Sequence, residues 1–287
     1  MKQRHADHQV LPYPKYWRFA AAANRTVRHK PMIHGLLEVD VTGARAALRE
    51  HKAQTGETLS FTAFLAFCLA AAVNENKAVQ AFRQGNRHLV LFEDVDICAR
   101  VEREVAGRKY VIPYIIRAAN RKTFRQLHHE IRAVQSANTR DVLKRFRMFQ
   151  LMPAVLFKAF TLAFASLGRW RPRLWKRSMG TVGITSVGMF GHGAGWGIPA
   201  LSPTTLMLTV GGIGEKQVLM DGQTSTREYL SLTVSVDHDL VDGAPAARFT
   251  RRLKELIENG YGLEDLATPL ARSAEGTAPA RVSPATT

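Results

Sequence analysis

Two kinds of hydrophobic spacing alternate along the chain. Residues 36–42 (LLEVDVT) have the two-residue period of a strand. Residues 60–73 place Phe61, Phe64, Leu65, Cys68, Leu69 and Ala72 at helical spacing behind Ser60, a residue type that caps helix N-termini. Strands are predicted at 88–92 and 95–101, the second alternating Val95, Ile97, Ala99 and Val101 with Asp96, Cys98 and Arg100, and again at 109–116. Residues 123–137 then read as a helix with Phe124, Leu127, Ile131 and Val134 on one face. Further on, strands are predicted at 181–187, 204–210, 216–220 and 227–236, the last two flanking an Asp221-Gly222 turn. A helix from Pro245 closes the series, with Ala246, Phe249, Leu253, Leu256 and Ile257 in one stripe. The elements are mixed and follow no simple repeat.

Residues 148–167 (MFQLMPAVLFKAFTLAFASL) stand apart, with one formal charge, Lys158, between basic and Trp-containing flanks. Three readings stay open: a buried helical insertion or subunit contact, an interfacial helix in contact with a membrane surface, and a spanning helix, against which Pro153 and Lys158 count. The run from about Ala271 is rich in Ala, Ser, Pro and Thr and reads as a disordered tail.

Composition narrows the class. With 287 residues, 46% of them hydrophobic and 22% charged, the chain can bury a substantial core in one large domain or two modest ones. The excess of 40 Lys and Arg over 24 Asp and Glu gives a formal charge of +16. That surplus is local: residues 1–30 hold seven basic residues and one acid, and residues 140–177 hold ten and one. The rest is close to neutral and carries no zinc-finger, RRM-type or basic-zipper pattern, so no nucleic-acid partner is expected. The two cysteines, Cys68 and Cys98, lie in apolar segments, which argues against a disulfide framework or a cysteine zinc site. The N-terminus lacks the apolar region of a secretory signal, so a reducing, cytoplasmic setting is expected, peripheral to a membrane if residues 148–167 touch one.

The sharpest chemical pattern is His238-Asp239-Leu240-Val241-Asp242-Gly243. HxxxDG is short enough to recur by chance, but its context adds to it. Leu230, Leu232, Val234 and Val236 alternate on one face of the preceding strand, and His238 has the same parity, which puts the imidazole on the apolar side. An imidazole at the end of a buried strand can act as a base in a site that excludes water. The competing reading is a core histidine hydrogen-bonded to Asp242. A second element, GTVGITSVG at 180–188, is a glycine-bounded strand presenting hydroxyls. A fixed hydroxyl can stabilise the oxyanion of acyl transfer, although threonines on strands are also ordinary sheet residues. His128-His129-Glu130 reads as the solvated face of a charged helix without a partner at metal-site spacing, and no metal is expected. The glycine-rich loop at 188–197 has neither P-loop nor dinucleotide spacing.

Five ordered blocks, SFTAFLAFCLAAAV at 60–73, VDICARVE at 95–102, YVIPYIIRAANRKTF at 110–124, GTVGITSVGMFG at 180–191 and LSLTVSVDHDLVDGAPAARF at 230–249, carry a resemblance. From about Arg18 to Asn259 the sequence resembles the catalytic domain of the dihydrolipoyl acyltransferases of 2-oxoacid dehydrogenase complexes, which share the chloramphenicol acetyltransferase fold. The resemblance implies an α/β two-layer sandwich with a mixed, largely antiparallel sheet, assembled as homotrimers with active sites between subunits and capable of building larger cages. It implies a CoA-dependent acyltransferase, with coenzyme A or acyl-CoA as substrate. His238 matches the general base that deprotonates a thiol of coenzyme A or dihydrolipoamide, Thr185 the hydroxyl that steadies the oxyanion, and Asp242 the aspartate that holds the histidine loop. His238 and Thr185 would come from neighbouring subunits, and Gly243 permits the turn.

The sequence departs from the family in several places. No lipoyl-attachment or partner-binding domain is expected ahead of the core, so a lipoyl-bearing protein would act in trans and no covalent lipoyl group sits on this chain. Asp239 stands where arginine is common, the segment at 141–177 is long, and Trp196 gives the following loop an unusual character. The expected organisation is a basic N-terminal arm at 1–17, a catalytic domain at 18–270 with a basic, apolar helical insertion at about 141–177, and a tail at 271–287. Two alternatives remain open: the same fold acting on a small-molecule or lipid hydroxyl or amine, and a non-catalytic trimeric scaffold.

Overall fold

The computed structural model describes residues 30–105, 108–136, 170–188, 193–199, 201–220 and 222–266, with isolated positions in 11–28 and 155–166. β1 (Met32–Asp40) begins four residues before the predicted alternation, and it leads into α1 (Thr42–Thr55), a helix that the sequence reading missed. Its apolar side is short, consisting of Ala44, Ala47 and Leu48, and so offers no long stripe to detect. α2 (Phe61–Glu75) is capped where expected, the Ser60 side chain accepting from the Ala63 amide. Nearly every side of α2 is buried, because α3 (Phe124–Ser136) and α5 (Gly243–Glu258) pack beside it; Phe64 meets Phe124 edge-on at 6.2 Å. Burial also pushes the Cys68 thiol pKa upward, which leaves this cysteine a poor nucleophile.

The main sheet has the order β1-β8-β7-β6-β4-β5, with β4 (Ile97–Val105), β5 (Arg108–Ile116), β6 (Val182–Ser186), β7 (Leu206–Met220) and β8 (Gln223–Asp237). Only β4 with β6 and β6 with β7 run parallel, so the sheet is mixed and largely antiparallel, as the sequence led us to expect. A small second sheet pairs β2 (Phe82–Gln84) with β3 (His88–Val90). The stretches predicted as strands at 204–210 and 216–220 are one strand, β7, with a register shift between Val210 and Ile213. Gly211 and Gly212 interrupt the hydrophobic alternation there and conceal the continuity.

Residues paired across strands share a face, so the register assigns the two sides. One carries Ile97, Val182, Ile184, Leu206, Leu208, Leu232 and Val234 into the core beneath the helices. The other carries Thr185, Thr209, Ser231, Thr233, Ser235 and Asp237, and most of these are buried too. Residues 193–197 lie on this polar side: the Gly195 amide donates to Ser231 Oγ at 3.2 Å, and Gly195 bridges Gly212. The approach is so close that a Cβ at Gly211 would stand 2.1 Å from the Gly195 carbonyl oxygen and 2.7 Å from that of Ser231. Both obstacles are backbone. Gly211→Ala is therefore expected to lower stability by about 1–3 kcal/mol in denaturant unfolding, and an unchanged midpoint would mean that the segment yields freely.

Among the described residues no helix is long and apolar enough to cross a membrane. Most of 148–167, and with it the membrane-contact readings and much of the expected insertion, lies outside the described residues, as do the tail at 271–287 and nearly all of the arm at 1–17. The last part of the stretch expected as an insertion contains α4 (Pro172–Met179), which opens on a proline and is tied to the domain by a hydrogen bond from Trp175 Nε1 to the Pro203 carbonyl at 2.9 Å.

Candidate functional site

β8 ends at Asp237, where the amides of Leu240 and Val241 both close on the Asp237 carbonyl at 3.0 Å and turn the chain into α5. His238 sits on that turn with its side chain 48% exposed, and Asp242, at 84%, precedes the helix without capping it. The imidazole expected on the apolar side is thus half exposed rather than shut away from water. The last paired strand residue is Asp237, and the His238 amide still donates to the Pro31 carbonyl at 2.8 Å before the chain turns away. The core-histidine reading fails as well, since His238 Nδ1 lies 3.7 Å from Asp242 Oδ1, too far for a hydrogen bond.

Thr185 is half-buried near the end of β6, in a row with Thr209 and Thr233 on the polar side of the sheet. The hydroxyls of Thr209 and Thr233 are buried without a partner. His238 lies five residues beyond Thr233 and two strands away from Thr185, which is roughly 16 Å along the strands and roughly 10 Å across them. One chain thus brings His238 and Asp242 together and leaves Thr185 apart. Each part has open space beside it. A cavity of about 440 Å³ at the end of β6 is lined by Arg45, Phe61, Thr62, Ser186 and Gly188, and a groove of about 460 Å³ between β1 and α5 is lined by Ile33, Leu37, Val236, Gly243 and Ala246.

Two groupings escaped the sequence reading. Asp237, only 4% exposed, carries a carboxylate 3.1 Å from Lys30 Nζ directly before the histidine. Its place in the polar alternation Ser231, Thr233, Ser235, Asp237 was the available signal. The second is His128, which is buried, contrary to the solvated-face reading: its Nδ1 accepts the Ser60 amide at 3.0 Å, just ahead of α2. Glu57, distant in sequence, brings a carboxylate within 4.8 Å of the ring nitrogens of His128 and His129, which spacing along one helix could not reveal. This corner is built as a hydrogen-bond network. With Nδ1 accepting from the backbone, the neutral His128 ring carries its proton on Nε2, and the Glu57 carboxylate is already engaged by His51 at 3.0 Å and Arg125 at 2.7 Å.

Burial, followed by the charges of Arg132, His129 and Arg125 and opposed by Glu57, holds the His128 pKa below its ordinary 6.5. The neutral ring therefore stabilises the fold fully above that ordinary value, and the contribution is lost as the pH falls below it and through the lower folded value. Replacing the ring by a non-titrating acceptor, His128→Gln, is expected to flatten the fall in melting temperature between pH 7 and pH 5. Equal slopes in the two proteins would remove His128 as the cause.

The catalytic-domain model of the 2-oxoacid dehydrogenase acyltransferases matches residues 18–148 and 176–263, which include all five sequence blocks together with His238, Asp242 and Thr185. The chain belongs to this acyltransferase family. Residues 149–175, which hold most of the apolar segment, lie outside the match. The lipoamide acyltransferase component of the branched-chain α-keto acid dehydrogenase complex of Bacillus subtilis is 25% identical over 249 residues, covering 84% of this chain and 50% of that protein. The succinyltransferase component of the mitochondrial 2-oxoglutarate dehydrogenase complex of Saccharomyces cerevisiae is 38% identical over 81 residues, 28% of this chain and 17% of that protein. The chain thus spans half or less of the length of these relatives. The fold of this acyltransferase-family domain is also that of the cubic core of a pyruvate dehydrogenase multienzyme complex, with a TM-score of 0.63 at 21% identity over 90% of this chain and 94% of that one.

Proposed function

We propose that the chain is a CoA-dependent acyltransferase moving an acyl group between coenzyme A and a second thiol, with His238 as general base and Thr185 as oxyanion donor. The observation that carries this reading is the exposed His238 turn, set apart from the Thr185 hydroxyl, inside a domain of the acyltransferase family. The imidazole takes the proton of the attacking thiol, and the thiolate sulfur adds to the thioester carbonyl carbon. The carbonyl oxygen becomes an oxyanion, stabilised by a hydrogen bond from the Thr185 hydroxyl. When the intermediate collapses, the carbon–sulfur bond of the original thioester breaks, and the thiolate released from it recovers the proton from the imidazolium, so atoms and charge balance.

In this reading Thr185 reaches His238 from a neighbouring copy, in a homotrimer able to build larger cages; the similarity of the fold to that of a cubic core supports the assembly. Dihydrolipoamide, on a lipoyl-bearing protein acting in trans, is the second thiol. Asp242 faces the imidazole and steadies the turn. The segment at about 141–177 is an insertion in the catalytic domain. Asp239, exposed beside the base, bears on which acceptor is taken and favours testing hydroxyl and amine acceptors alongside the thiol.

The test is release of free thiol from acetyl-, propionyl- and longer acyl-CoA, with and without dihydrolipoamide, in wild type and in His238→Ala. Histidine-dependent release requiring dihydrolipoamide is the expected result. Release with a hydroxyl or amine acceptor alone would transfer the reading to small-molecule or lipid acylation. Silence in every pairing, with no binding of coenzyme A, would leave a scaffold.

A further inference from the structure

We propose that Lys30 and Asp237 form a positioning pair that fixes the direction of the His238 imidazole; the inference rests on the reading of His238 as the base. The imidazole lacks a hydrogen bond to Asp242, whose carboxylate stands 3.7 Å away, so its aim depends on the backbone on either side. Asp237 organises that backbone through most of its polar atoms. Its amide donates to the Thr205 carbonyl at 2.9 Å, its carbonyl accepts from Leu240 and Val241, and its Oδ1 accepts the Asp239 amide at 3.2 Å. The remaining carboxylate oxygen, Oδ2, lies 3.1 Å from Lys30 Nζ, which also donates to the Thr204 carbonyl at 3.4 Å. The next residue completes the strap, because the Pro31 carbonyl accepts the His238 amide at 2.8 Å. Residues 30 and 31 thus hold the carboxylate before the histidine and the amide of the histidine itself.

A carboxylate this buried needs its cation: without Lys30, Asp237 must find water or another donor, and the turn it organises must move to supply one. General-base catalysis is sensitive to such movement, since a displacement of about 1 Å can cost about 10²-fold in rate. Lys30 and Asp237 touch no reacting atom in this scheme and act through His238.

The experiment uses the full chain. Lys30→Met is expected to lower kcat by about tenfold to a hundredfold with KM for acyl-CoA within about twofold, and Lys30→Arg, which restores a cation, to recover most of the loss. The ring resonances of carbon-13-labelled His238, assigned by their disappearance in His238→Ala, are expected to shift in Lys30→Met and to return in Lys30→Arg. Should Lys30→Met fail to fold, Lys30→Gln keeps one donor to Asp237 and is read in the same way. An unchanged kcat, or His238 resonances that stay in place, would overturn the proposal. If His238→Ala itself keeps full turnover, the base assignment fails, and the resonances still decide whether Lys30 directs the ring.

Discussion

His238→Ala is expected to lower acyl transfer from CoA thioesters by about 10³-fold while leaving the assembly and the melting temperature nearly unchanged. The two halves of this expectation have separate origins. The rate falls because a thiol is mostly protonated at neutral pH, and the imidazole is the group on this turn suited to accept its proton there. Stability hardly changes because the side chain is half exposed and 3.7 Å from Asp242, so alanine removes neither a buried contact nor a close hydrogen bond. The cost is expected to stay within about 0.5 kcal/mol, as for an ordinary surface substitution. Steady-state kinetics with acyl-CoA and dihydrolipoamide, paired with thermal melts, separate the cases. Lost activity together with a collapsed melting temperature would make His238 a structural residue. Surviving activity would move the base elsewhere.

The contrast between His238 and its neighbour Asp237 shows what the sequence can convey. The strand up to Val236 was legible because Leu230, Leu232, Val234 and Val236 face a core that tolerates only apolar side chains. The same alternation carried forward did not show that the imidazole is half exposed, since where a strand stops depends on its partner, and here the last paired strand residues are Met32 and Asp237. The other side of β8 is polar in sequence, yet Ser231, Thr233 and Ser235 are buried, partly beneath a glycine segment whose path no local periodicity describes. The Ser60 cap and the stripe of α5 were readable because both are local. Lys30 with Asp237, and Glu57 with His128, were not, because each pair joins residues far apart in the chain. In the chemistry, the histidine motif and the hydroxyl strand were each visible, but their separation within one chain emerges only from the register.

That separation gives the second large effect. If His238 and Thr185 meet across a subunit boundary, two crippled proteins should repair one another. Thr185→Val removes the oxyanion donor and is expected to lower kcat by about 10²-fold with little change in KM. It keeps His238, whereas His238→Ala keeps Thr185. Unfolded together at equal concentration and refolded, the two chains assemble at random. A site that takes its histidine from one chain and its hydroxyl from the next is then intact in about one case in four. Activity is therefore expected to rise from about 1% or less for either protein alone to about a quarter of wild type. If both residues serve one site, such a gain must follow, because roughly 16 Å along the strands and roughly 10 Å across them separate the two positions in a single chain, a gap that neither side chain spans. Were the two groups to act within one chain, no mixture would contain an intact site, and activity would stay at the mean of the two variants. Mixing the folded proteins without unfolding supplies the control, because assembled subunits that do not exchange should show no gain.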